Sequence, residues 1–387
     1  MAERKQTRVL FLFAYLHKGG MQRAVSNISM ALPDCFEQYV AFFSTENPGF
    51  EYKATLCNLE IPGPDSRRFF GRFTRTIRRT ISRVMPLADF IAKHQIDVVV
   101  SMGEAANIYS LLSRHKAKRI ITSRVAHARA SYSNSQFVWL YPFLRSSLYR
   151  NADLIIAVSH ALGDEMRKVV ADKVPVRVIP NLYPNENILH LSRQSLPSDF
   201  SFLEEKPFLL SVGTLCHQKA QDQLLEIFAP LSRRFDELHL VIVGAGEARD
   251  ALVEQASRLG VSQRVAWVDY DENPYRYMAR ASAFVLTSRT EGFPNVLVEA
   301  MICGAPVFAF DCPTGPDEIL EGGKWGVLVR DRSQVEMVER LSAVLEDDVL
   351  WQNLSARARE RAELYSQERI IDQWVDVLSQ CVVMNPV

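Results

Sequence analysis

Apolar runs of about five to eight residues recur along this chain, each followed by a polar or glycine-containing turn and then by a stretch of helical spacing. In the first half the runs fall at 8–15, 39–44, 97–101, 119–123, 152–159 and 176–180. Helices are expected up to about residue 32, after residue 102 and over 137–150. Runs this continuous, rather than alternating, predict strands buried on both faces, as in parallel sheets covered by helices. The pattern lapses over 181–206, where Pro184 and Pro197 lie just ahead of Pro207, and this stretch reads as a linker. It resumes with runs at 208–212, 238–243, 265–269, 283–288, 306–311 and 326–330. Three helical stretches, at about 333–346, 350–363 and 368–381, close the chain. The last carries Ile370, Ile371, Trp374, Val375 and Leu378 on one continuous apolar face. An α/β chain of 387 residues exceeds one ordinary core. The expected division is a domain at 1–184, a linker at 185–206, a second domain at 207–365 and a terminal segment at 366–387.

In open parallel sheets, ligands bind beyond the carboxyl ends of the strands, so the turns there are where chemistry is expected. The richest is the turn after the run at 283–288, Arg289-Thr290-Glu291-Gly292-Phe293-Pro294, which opens a helix over 295–303 stopped by Gly304. Glu291 lies in the turn and Glu299 on the helix. Carboxylates accept hydrogen bonds from sugar hydroxyls, while the N–H groups at a helix start favour an anion such as a diphosphate. Two glutamates eight residues apart are common and most are simply solvated; their weight here comes from the flanking strands. Lys219 sits in the turn after 208–212, either as a point charge for a diphosphate or as a solvated lysine. Gly19 and Gly20 precede a helix and fit a tight turn or a close backbone approach. Gly244-Ala245-Gly246 lacks the third glycine of a dinucleotide fingerprint, Arg249 standing there, and close approach of a nucleotide would explain the pair. Tyr270, after the strand at 265–269, is expected at the edge of a base pocket. Arg124 and His127 follow the strand at 119–123.

Composition changes this picture in one place. The chain is 48% hydrophobic and 23% charged, as in globular proteins, and Lys+Arg 45 against Asp+Glu 45 implies no bulk attraction to nucleic acid. Between Ser66 and Pro86, however, lie seven arginines (Arg67, Arg68, Arg72, Arg75, Arg78, Arg79 and Arg83), three phenylalanines and no acid. Phe73, Ile77 and Ile81 recur there at helical spacing. The segment reads either as a membrane-surface helix drawn to anionic headgroups or as a solvated basic helix packing on its own domain. Six cysteines without a C-x-x-C pair or zinc spacing read as reduced thiols of a cytosolic protein. The apolar run ending at Leu16 follows basic residues, yet no cleavage site follows, so a first strand is expected rather than a signal peptide. No run reaches the roughly 18 apolar residues of a membrane span.

The string EGFPNVLVEAM between two apolar strands, followed by Gly304, Pro306 and the Cys312-Pro313-Thr314-Gly315-Pro316 turn, resembles the donor-site motif of retaining family-four glycosyltransferases. Glu291 and Glu299 match the two acids of the family's E-x7-E. The resemblance implies the GT-B fold, two Rossmann-like, doubly wound domains facing across a cleft, with donor bound mainly to the second and acceptor to the first. The terminal helix would cross back to the first domain. It implies sugar transfer with retention from a nucleotide-diphosphate donor, UDP-sugar favoured; the arginine segment 67–83 adds the expectation of a glycan or lipid-linked saccharide acceptor in bacterial surface polysaccharide (lipopolysaccharide or capsule) synthesis. Lys219 matches the lysine of the family's G-R-L-x-x-x-K-G, whereas Thr214 replaces the arginine and Ala220 the last glycine, so one usual diphosphate cation is missing. Gly19, Gly20 and Arg23 match a G-G-x-x-R/V element; either Arg23 or Arg124 would substitute for the absent cation, or donor affinity would be reduced. Residues 152–159 resemble the acceptor-domain aD-x-x-x-x-V-S element.

By this resemblance Glu291, Lys219 and His127 would serve the chemistry, His127 lying beside the transferred sugar. Gly213, Gly244, Tyr270, Gly292, Phe293, Pro294 and Asn295 would line the donor with Gly19 and Gly20, and Glu299 would hold the ribose. The arginines 23, 67, 68, 72, 75, 78, 79, 83 and 124 would meet the acceptor or an anionic membrane. No metal or other cofactor and no nucleic-acid partner is expected, and the protein would be cytoplasmic, peripheral at the inner face of the plasma membrane. Rivals are a sugar-nucleotide epimerase or glycosyl phosphorylase of the same fold, a nicotinamide oxidoreductase, and a non-catalytic membrane-associated relative.

Overall fold

Buried apolar strands organise both halves of the computed structural model, which describes residues 6–16, 19–43, 49–59, 72–124 and 141–383, the side chains of 72–81, 141–144 and 382–383 excepted. The chain divides into two units, Met1–Leu182 with Gln367–Val387, and Tyr183–Ser366. Among the described residues the first unit holds β1 (Thr7–Phe13), β2 (Phe36–Phe42), β3 (Thr55–Asn58), β4 (Val98–Met102), β5 (Lys118–Ser123), β6 (Leu154–Ala157) and β7 (Val176–Val178). They form one sheet in the order β3-β2-β1-β4-β5-β6-β7, every pair parallel. The second unit holds β8 (Phe208–Val212), β9 (His239–Val243), β10 (Val265–Val268), β11 (Ala283–Leu286), β12 (Val307–Phe310) and β13 (Val327–Val329), again all parallel, in the order β10-β9-β8-β11-β12-β13. The expected α/β class with helix-covered parallel sheets is therefore what the chain adopts.

Both sheets reverse their winding beside their first strand, at β1/β4 and at β8/β11, and such switch points leave a crevice at the strands' carboxyl ends. The register there pairs Leu209 with Ala283 and Leu210 with Phe284. In the first unit, Val9, Phe11, Val98 and Val100 share a core with Ile370, Trp374, Val377 and Leu378 of the helix Gln367–Val383. The Arg177–Asp376 ion pair at 2.7 Å adds a polar contact between that helix and β7.

One local reading needs correction. Residues 185–206 are not a plain linker. They form the helix Asn185–Ser192 and a 3-10 stretch, Ser198–Glu204, and they fall within the second unit. Their order comes from distant polar contacts that no local period reveals: Asn273 Nδ2 donates to Leu191 O at 2.9 Å, and Arg280 Nε meets Glu204 Oε2 at 2.5 Å. Strand β3 escaped notice because Thr55, Leu56 and Asn58 are exposed on a sheet edge, leaving no apolar run. The basic helix, Arg72–Lys93, contains Pro86. Leu87 and Ile91 beyond the proline are fully buried with Leu10, Leu12 and Val99, and that burial outweighs one lost backbone hydrogen bond.

Candidate functional site

At the second switch point, the turns leaving β8 and β11 are stitched together by hydrogen bonds. The backbone N–H of Arg289 donates to Gln218 O at 2.8 Å, and Gln218 Nε2 returns a bond to Thr290 O at 2.8 Å. Arg289 Nη1 reaches His217 O at 2.5 Å, and its Nη2 pairs with Asp222 Oδ2 at 2.8 Å. The Thr287 hydroxyl donates to Ala220 O at 2.9 Å. The two turns thus form one polar surface, and at its centre Lys219 Nζ lies 2.6 Å from Glu291 Oε1. The Glu291 side chain is 8% exposed and that of Lys219 22%, so the pair is largely screened from water by protein.

The turn holding Glu291 is fixed from below. The Thr314 hydroxyl donates to the Glu291 carbonyl, and Gly315, at φ +96°, leaves so little room that a Cβ there would come within 2.6 Å of Pro294 Cδ. Beside it, burial and the Glu291 charge push the Cys312 thiol up to about 12. Pro294 then opens the helix Asn295–Ile302, whose first turn no side chain caps. Glu299 is buried on this helix, and burial with the neighbouring Glu299 charge raises the Cys303 thiol too.

The structure brings Lys219, Glu291, Gly292, Phe293, Pro294 and Gly213 to one place, but it redirects some of their expected contacts. Lys219 and Glu291, expected to hold different parts of a donor, hold each other. Phe293 is buried with its ring edge-on to Tyr365 at 5.5 Å. The Asn295 side-chain oxygen accepts from the Tyr183 hydroxyl at 2.7 Å. Gly244 packs against the turn after β8. Its missing side chain makes room for this unit's own backbone: a Cβ at Gly244 would sit 2.1 Å from Gly213 O, and one at Gly246 2.2 Å from Leu215 O. Tyr270 is 47% exposed beyond β10, next to Asp271, whose carboxylate meets Arg276 at 2.6 Å.

In the first unit, Gly19 and Gly20 do open a helix, Gly20–Ala31, with no side-chain cap. Arg23 lies over the Phe50 ring at 5.3 Å, and Arg124 Nη1 donates to Asn181 Oδ1 at 2.6 Å. His127, Arg67 and Arg68 lie outside the described residues, and Arg72, Arg75, Arg78 and Arg79 belong to the helix Arg72–Lys93 without described side chains. Arg83 departs from the expectation of a cation facing acceptor or membrane. Its guanidinium lies 5.1–5.3 Å from the rings of Tyr15, Phe43 and Tyr109 and donates to the Tyr109 hydroxyl at 2.9 Å. A guanidinium stacks readily on aromatic faces, and here it ties the basic helix to its own unit.

Reading the sequence alone missed Arg289, Asp222, Gln218 and Arg332. Each acts on a residue at least 67 positions away or on a carbonyl across the sheet, so no spacing announces it.

Two doubly wound parallel sheets, with polar turns around a carboxylate and an ammonium at a switch point, place the chain among α/β proteins whose ligands bind beyond the carboxyl ends of the strands. Residues 18–184 match the model of Glycosyltransferase Family 4, and residues 192–363 match that of Glycosyl transferases group 1. The chain belongs to the glycosyltransferases that these two models describe. It is similar to the Campylobacter jejuni N-acetylgalactosamine-N,N'-diacetylbacillosaminyl-diphospho-undecaprenol 4-alpha-N-acetylgalactosaminyltransferase, 27% identical over 373 residues, which cover 93% of this chain and 96% of that one. It is also 29% identical over 371 residues to the amylovoran biosynthesis glycosyltransferase AmsD of Erwinia amylovora, covering 94% and 97% of the two chains. The crystal structure of Anabaena HepE in complex with UDP superposes with a TM-score of 0.74 at 21% identity, covering 97% of this chain and 100% of that one. The fold is GT-B, built from two Rossmann-like domains.

Proposed function

We propose that this glycosyltransferase moves a sugar, with retention at the anomeric carbon, from a nucleoside-diphosphate donor, UDP-sugar favoured, to a glycan or lipid-linked saccharide of a bacterial surface polysaccharide. The observation that carries it is the Lys219–Glu291 pair, 2.6 Å apart at the carboxyl ends of β8 and β11, next to the start of the helix that holds Glu299. On donor binding the pair exchanges partners: Lys219 turns to the diphosphate and Glu291 to sugar hydroxyls. Charge building on the departing diphosphate is then met by the ammonium and by N–H groups at the start of Asn295–Ile302, placed before reaction begins. Glu299 takes the ribose. This scheme neutralises the diphosphate with the chain's own groups, without a metal or other cofactor.

The activity of the C. jejuni relative, on a diphospho-undecaprenol saccharide, and the amylovoran role of AmsD support a saccharide acceptor, and the HepE complex supports UDP. The acceptor side is assigned to the first unit, with Gly19, Gly20, Arg23, Arg124 and His127. Among the described residues no helix is long and apolar enough to cross a membrane. Arg67, Arg68, Arg72, Arg75, Arg78 and Arg79 are assigned to docking on anionic lipid at the cytoplasmic face of the plasma membrane.

One experiment tests both parts: incubation with UDP-sugars and a lipid-linked saccharide presented in vesicles with or without anionic lipid. An α-linked product from an α-linked donor, formed faster on anionic vesicles, is expected. Replacing the six arginines by serine should abolish the preference for anionic vesicles. An inverted product would end the retaining assignment, and an unchanged preference in the six-arginine variant would end the membrane assignment.

A further inference from the structure

Asp331 (φ +51°) and Arg332 (φ +53°), two consecutive residues with side chains, adopt the left-handed backbone region in the turn after β13. That region is unfavourable for any residue with a Cβ and is usually left to glycine. Residues held there cluster at functional sites, where their surroundings over-determine them. The side chain of Arg332 supplies such surroundings. Its Nη1 donates to Ser288 O at 2.7 Å and its Nη2 to Thr287 O at 2.7 Å. Nη2 also donates to the Gln223 side-chain oxygen, and the guanidinium lies 4.8 Å from the Phe310 ring centroid.

These partners lie on both sides of the candidate site. Thr287 and Ser288, both buried, are the root of the turn that carries Glu291, and Gln223 is in the first turn of the helix Gln221–Arg234 that follows Lys219. The Thr287 hydroxyl in turn holds the carbonyl of Ala220, itself left-handed at φ +54°. A single planar cation therefore joins the two roots with a fork of donors, a geometry that an ammonium cannot copy. Burial and the nearby Arg289 both act against the Arg332 charge, so its carbonyl partners and the Phe310 face hold it in place.

We infer that Arg332 is a positioning residue for sugar transfer: by clamping Thr287, Ser288 and Gln223 it sets the separation of Lys219 and Glu291 without touching a substrate. This rests on the transfer reaction proposed above. Glycine at 332 would relax the backbone, so the two roles of the residue pull in opposite directions and can be separated.

The test compares wild type with Arg332→Gly and Arg332→Lys by three readouts: unfolding temperature, the ¹⁵Nζ resonance of Lys219 in lysine-labelled protein (assigned by its loss in Lys219→Arg), and kcat and KM for transfer from UDP-sugar. Arg332→Gly should unfold close to wild type and lose the hydrogen-bonded Lys219 ammonium signal. Its kcat should drop about 10–100-fold, as expected for a reacting pair misplaced by about 1 Å, with a smaller change in donor KM. Arg332→Lys, whose ammonium cannot fork, should fall between wild type and Arg332→Gly in kcat and in the Lys219 signal; if the glycine variant does not fold, wild-type kcat and a wild-type Lys219 signal in Arg332→Lys overturn the inference. A wild-type Lys219 signal with wild-type kcat in Arg332→Gly would overturn the inference. If wild type transfers no sugar, the functional proposal fails, while the Lys219 signal still decides the clamp: its persistence in Arg332→Gly refutes it.

Discussion

Lys219→Ala should lower kcat for sugar transfer by about 10²–10³-fold, the usual loss when one preorganised stabiliser of developing charge is removed. It should also cost about 1–3 kcal/mol of stability, because the Glu291 carboxylate, 8% exposed beside Lys219, is left without its ammonium partner. The two effects have different origins and can be separated. Glu291→Gln keeps the shape of the turn and the hydrogen bond that Thr314 makes to its backbone, but it removes the charge. Combining Lys219→Ala with Glu291→Gln should recover much of the lost stability, since no buried charge is stranded, and should recover none of the lost rate. Thermal unfolding alongside initial rates of nucleotide release would measure both. Wild-type kcat in Lys219→Ala would reduce the pair to a structural ion pair.

Gly244→Ala should destabilise the second unit by about 3 kcal/mol, lowering its unfolding temperature by roughly 6–12 °C. The added Cβ would lie 2.1 Å from Gly213 O, and the obstacle is backbone, which cannot swing aside. Gly213 N is bound to Val243 O at 2.9 Å and Leu215 N to Ala245 O at 3.0 Å, so moving one turn strains the other. Gly246→Ala, whose Cβ would meet Leu215 O at 2.2 Å, should behave alike. Gly260→Ala is the control: at φ +73° it has the unfavourable backbone but nothing within 4 Å, and should cost only about 1–2 kcal/mol. Equal losses at 244 and 260 would show that conformation alone, and not the contact of the two turns, requires Gly244.

The sequence disclosed what burial and period can carry. Continuous apolar runs marked the strands because parallel strands are buried on both faces, and the turn with Glu291 stood out because it lies between two such runs. Lys219 and Glu291 were each legible from a motif, yet their contact was not, since 72 residues separate them and no spacing encodes a tertiary ion pair. The same limit hid Arg332, whose partners sit 44, 45 and 109 positions away. Residues 185–206 looked irregular because their order is imposed by Asn273 and Arg280 rather than by an apolar period of their own. Arg83 shows the complementary failure. Its place in a run of arginines suggested a cation facing outward, whereas Tyr15, Phe43 and Tyr109, scattered in sequence, form the aromatic box that holds it.

The claim that β8 and β11 present a donor site is tested most directly by calorimetric titration of UDP, GDP and ADP into wild type and Glu299→Ala. Binding of one nucleotide to wild type, UDP by expectation, weakened about tenfold or more in Glu299→Ala without loss of fold, is the predicted result. Absence of binding by all three, or equal affinity in the two proteins, would contradict it.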